Sequence, residues 1–65
     1  MTNSFYVIRR FIPAGAGHTV EDLAETDEDQ ALYAANFWAD ISIGVRVLRP
    51  DGTVLREIGD VPMML

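Results

Sequence analysis

Hydrophobic and polar positions divide the chain into five segments. Phe5 to Ile12 reads Phe-Tyr-Val-Ile-Arg-Arg-Phe-Ile, a run of aromatic and β-branched residues that predicts a strand. Pro13-Ala14-Gly15-Ala16-Gly17 breaks it with one proline and two glycines. His18 to Glu25 reads as a returning strand that pairs with the first. Its helical alternative would place Thr19 at the cap and Asp22 at the third helical position. The strand is preferred because the next segment carries its own helix start, Thr26 as N-cap with Asp27, Glu28 and Asp29 in the first turn. The helix is expected over Asp27 to Asp40, roughly 21 Å long.

Within that helix Ala31, Ala35 and Trp38 share one stripe, with Leu32 and Ala39 beside it. Tyr33 and Phe37 form a second stripe, offset from the first. Core packing is the default for such aromatics. If only one stripe meets the sheet, they become a partner surface instead. Ile43 to Arg49 predicts a third strand. Pro50-Asp51-Gly52 is a hairpin turn, and Thr53 to Ile58 returns as the fourth strand. A three-residue turn sets Arg46 opposite Arg56, and a two-residue turn sets it opposite Glu57; the pattern leaves both registers open. Val61 to Leu65 is an apolar tail that either closes one end of the core, the preferred expectation, or anchors a partner.

The order strand, strand, helix, strand, strand implies one two-layer α+β domain over residues 1–65. One helix packs on a four-stranded, mainly antiparallel sheet. This order of elements resembles the ubiquitin-like, or β-grasp, group over about residues 5 to 58. The stretch Thr26 to Ala35, followed by Val45-Arg46-Val47 and Asp51-Gly52, also resembles many small bacterial and phage domains.

Composition narrows the chemistry. There is no cysteine, which excludes a disulfide scaffold and thiolate metal sites and suits a reducing compartment. The longest apolar run, Ala31 to Ala35, is five residues, far short of a membrane span. Met1-Thr2-Asn3-Ser4 lacks the basic lead-in of a signal peptide. His18 stands without a nucleophile or paired carboxylate at catalytic spacing and is expected to be an exposed loop residue. Gly15-Ala16-Gly17 lacks a phosphate-loop context, and Asp27-Glu28-Asp29 lacks the alternation of a calcium loop. No catalytic residue, metal ligand or cofactor site is expected. Arg9 and Arg10, adjacent on a strand, point to opposite faces and are expected to be solvated.

Charge supplies the one distinctive signal. The net charge is −5, with five arginines and no lysine, which argues against direct nucleic-acid binding. Glu21, Asp22, Glu25, Asp27, Glu28 and Asp29 place six carboxylates in nine residues with no base among them. The remaining residues hold four carboxylates against five arginines. Nothing local compensates Glu21, Asp22 or Glu25, and the six acids are expected to form one negative corner where strand and helix meet at Thr26. In that character the chain resembles small acidic anti-CRISPR proteins that act as DNA mimics. The resemblance implies a monomeric, non-enzymatic inhibitor in the cytoplasm of a bacterial host cell. Its partner would be a protein with a basic nucleic-acid-binding surface, such as a CRISPR effector complex. The six carboxylates would occupy the channel that target DNA enters. The alternative expectation is a small protein–protein interaction domain that uses a sheet edge or the Tyr33 and Phe37 surface.

Overall fold

The computed structural model describes residues 5–61. Strands β1 (Tyr6–Ala14) and β2 (Gly17–Glu25) precede helix α1 (Glu28–Ala39), and β3 (Gly44–Leu48) and β4 (Val54–Gly59) follow it. The sheet runs in the order β2-β1-β3-β4, and all three ladders are antiparallel. The expected two-layer α+β arrangement is therefore present, with His18 to Glu25 a strand and not a helix.

β1 runs two residues further than expected, through Pro13 to Ala14. Proline is tolerated there because the β1–β3 ladder ends at Phe11↔Gly44, so no β3 partner requires its missing N–H. The turn itself is only Gly15-Ala16, between the paired Ala14 and Gly17. Gly15 takes φ +59°, the positive first position of a two-residue II′-type turn. His18 accordingly sits in a strand rather than a loop.

The cap of α1 also differs from expectation. Asp27, not Thr26, is the N-cap: its backbone is extended and its carboxylate accepts from the Gln30 N–H at 3.1 Å. Aspartate at that position satisfies one of the orphan amides of the first turn. The helix is thus twelve residues long, Glu28 to Ala39.

Alternation along the strands sends Ile8, Val45 and Val47 to the face beneath α1. They meet Ala31 and Ala35, and all five are fully buried. Tyr6, Leu23, Trp38, Leu55 and Ile58 pack around them, half-buried. The methyl side chains of Ala31 and Ala35 let the helix backbone come close to the sheet. Burying each large aliphatic in this layer contributes about 1.5–3 kcal/mol.

The β3–β4 hairpin resolves the register question in an unexpected way. Arg49 N–H donates to the Thr53 carbonyl at 2.8 Å, so three residues form the loop. Gly52 at φ +92° supplies the positive dihedral at its end. The register then shifts by one between Val47 and Leu48: Leu48 faces Val54, but Val47 faces Arg56. Leu55 is the extra residue of a β-bulge. Arg46 therefore faces Glu57, as a two-residue turn would have given, although the turn has three. The bulge exchanges an Arg46–Arg56 clash for an ion pair.

Glycine is required where β3 meets the end of β4. Gly44 pairs with Gly59, and a Cβ on Gly44 would collide with the Asp60 carbonyl. Of the expected tail, Val61 is half-buried, and residues 62–65 lie outside the described residues.

Candidate interaction surfaces

The six clustered carboxylates fall on three different parts of the fold. Glu21 and Asp22 lie on β2, opposite Arg10 and Arg9 of β1. Asp22 accepts two parallel hydrogen bonds from the Arg9 guanidinium, at 2.9 and 3.0 Å. That fork raises the Arg9 pKa, first through the hydrogen bond and then, against some desolvation, through the carboxylate's charge. Glu21 takes both Nε and Nη2 of Arg10 on the opposite face. The expectation that nothing local compensates Glu21 or Asp22 is thus corrected. The bases come from the neighbouring strand, thirteen and eleven residues away in sequence. Arg9 and Arg10 do point to opposite faces, but neither is a free, solvated cation. Exposed pairs of this kind contribute only about 0–1 kcal/mol each. Their larger effect here is to cancel two of the six charges.

The other four acids gather where β2 passes into α1. Glu25 is half-buried opposite Tyr6, and Asp27 is the helix cap. Glu28 receives the Tyr6 hydroxyl at 3.4 Å, and Asp29 is exposed in the first turn. Among the described residues, the Glu25 and Asp29 side chains make no hydrogen bond or ion pair. The helix N-terminus favours all three carboxylates of its first turn.

On the face away from α1, one row crosses all four strands: Asp22, Arg9, Arg46 and Glu57. The two arginines lie side by side in the middle, each held by a carboxylate on its outer flank. Arg46, 9% exposed, donates to Glu57 at 2.7 Å, and its guanidinium stands 5.9 Å from the centre of the Phe11 ring. The His18 ring meets Phe11 edge-on at 5.6 Å. On the helix side, Arg10 lies 4.2 Å from the centre of the Trp38 ring.

The outer side of α1 is different in kind. Tyr33 is 73% exposed and Phe37 63%. The default expectation that they pack in the core is overturned, because the stripe that meets the sheet is Ala31, Ala35 and Trp38, with Ala34 and Ala39 beside it. Ile41, one further step of four along the chain, is 60% exposed. Ile41 follows the C-cap Asp40, and its N–H still donates to the Trp38 carbonyl at 3.1 Å. Sequence reasoning missed Ile41, although its spacing from Phe37 could have shown it. Asp29 and Asp40 stand at the two ends of this stripe, and α1 carries no basic residue.

Among the described residues, no group of three or more His, Asp or Glu side chains is placed to hold a metal ion. No helix there is long and apolar enough to cross a membrane. Comparison with known proteins gave no match to a protein-family model, a curated protein or a solved structure.

Proposed function

We propose that this protein is a non-enzymatic interaction domain that docks on a partner protein through Tyr33, Phe37 and Ile41. The observation that carries the reading is the exposure of two large aromatic side chains one helical turn apart, continued by an isoleucine. Anchors at steps of four along a helix and the turn that closes it suit an apolar groove on another protein. Aromatic side chains are the residue types that most often dominate binding energy at such contacts. Asp29 and Asp40 at the ends of the stripe, and the absence of bases on α1, favour a groove rimmed by arginine or lysine. A second copy would present the same acids and a net charge of −5, and is disfavoured.

The test is affinity capture with the intact chain and with a Tyr33→Ala, Phe37→Ala double variant, followed by direct titration of the captured protein. The partner is expected to resist a high-salt wash and to be lost with the double variant. A partner that the double variant holds as tightly, at unchanged fold, sinks the reading.

A second reading is supported by the carboxylates left at the β2–α1 junction, Glu25, Asp27, Glu28 and Asp29. In it the protein inhibits a nucleic-acid-handling complex, such as a CRISPR effector in a bacterial cytoplasm, by standing in for DNA. The cancellation of Glu21 and Asp22 shortens the negative edge available for that role. The ubiquitin-like likeness enters either reading through the order of elements alone. Here binding would fall with each of the four acids replaced and would be released by salt. Tyr33 and Phe37 would not matter.

A further inference from the structure

Among the described residues β2 is an outer strand of the sheet, and its outward backbone groups can be identified residue by residue. Ala14 and Gly17 close a two-residue turn, so this pair exchanges hydrogen bonds, and so does every second pair up to Tyr6↔Glu25. The Phe11 carbonyl, which accepts from Ile43 N–H at 2.8 Å, confirms the phase: odd residues of β1 bond to the β3 side. The N–H and C=O groups of His18, Val20, Asp22 and Ala24 therefore face away from β1.

Edges of this kind are usually blunted by lysine, proline, a bulge or a short strand. The other edge, β4, has six residues and the Leu55 bulge. β2 has nine residues in unbroken register, without proline, lysine or bulge. Its charged side chains do not shield it either, because Arg10 and Arg9 draw Glu21 and Asp22 inward across β1.

We propose that the free edge of β2 accepts an extended segment of a partner protein as a fifth strand, with arginine or lysine at the end lying beside Glu25 and Asp27. The open backbone edge provides the binding, and charge selects the occupant. The uncompensated acids Glu25, Asp27, Glu28 and Asp29 gather at one end of the strand and ask for cations there. A second copy fits poorly, since the full-length antiparallel register of two β2 strands sets Gly17 beside Glu25, brings no arginine or lysine to the acidic end, and adds a second net charge of −5. The inference rests on the interaction-domain reading but uses a separate surface, so either can fail alone.

The probe is a synthetic peptide of alternating threonine and valine with arginines clustered at one end, titrated into the intact chain. Amide hydrogen exchange is read by NMR. The amides of His18, Val20, Asp22 and Ala24 are expected to slow by about tenfold or more at saturation, with their odd-numbered neighbours unchanged. Val20→Pro removes one outward N–H without touching the β1 ladder and should weaken the peptide about tenfold. The Tyr33→Ala, Phe37→Ala variant should bind it normally. Should Val20→Pro unfold, the same peptide with alternate backbone nitrogens methylated makes the equivalent test. Equal binding of that methylated peptide reduces the contact to charge and overturns the proposal. Protection centred on α1, or a dimer of the chain that forms without peptide through these four amides, overturns it as well.

Discussion

Along the inner stripe of α1, Ala31 and Ala35 are fully buried against Ile8, Val45 and Val47. Along the outer stripe, Tyr33 and Phe37 keep 73% and 63% of their surface in water. The helix thus buries its smallest side chains, half-buries Trp38 against the same core, and exposes Tyr33 and Phe37. A helix that owed its place only to apolar area would be turned the other way. Close approach to a four-stranded sheet explains the alanines, since a larger side chain would lift the helix off Ile8 and Val47. Nothing in the fold's own packing calls for the aromatics, which is why the outer stripe is read as a surface for another molecule.

Several substitutions break or sharpen this contrast. Ala35→Leu should have the largest effect, because the inner stripe has no room: unfolding in urea should show a loss of about 1–3 kcal/mol. Asp27→Ala removes the cap from which both stripes begin. It should cost about 1 kcal/mol in the same measurement. The double change Tyr33→Ser, Phe37→Ser should leave stability within about 0.5 kcal/mol while abolishing partner capture. A loss of several kcal/mol would place those rings in the core after all.

The smallest effect is expected from acid, at a residue that touches neither stripe. Asp51 accepts from the Thr53 N–H at 2.9 Å and from its hydroxyl at 2.6 Å, and these bonds hold its pKa below the ordinary aspartate range. A lowered folded-state pKa gives a contribution that is complete above the unfolded value and fades as pH falls through the folded one. The pH dependence of unfolding below the normal aspartate range should therefore flatten in Asp51→Asn, while the exchange of α1 amides with solvent stays unaltered.

Local signals made most of the architecture legible. Two turns, one helix start and the apolar alternation place four strands and a helix within a residue or two. Two misses and one question that the pattern left open share a physical origin. Thr26 and Asp27 are both good caps, and the choice between them depends on where β2 lets go of β1. The register at Arg46 depends on a bulge at Leu55, which no turn residue announces. The fate of Glu21 and Asp22 depends on bases that lie far off in sequence and arrive only through the hairpin. Counting charge within a nine-residue window overlooks such partners by construction. Once the turn is fixed at Gly15-Ala16, the pairing Arg10↔Glu21 follows by alternation, so the cancellation was readable from the hairpin, though not from composition.

The cross-strand ties described above are all made by guanidinium groups: Arg9 to Asp22, Arg10 to Glu21 and Arg46 to Glu57. A guanidinium keeps its proton far into alkali, where an ammonium would have given its proton up. Strong base therefore leaves the Arg9–Asp22 stitch intact, its guanidinium being held still more firmly protonated by the carboxylate. Amine-directed reagents, which would erase the same links in a lysine-built sheet, find none of them to attack.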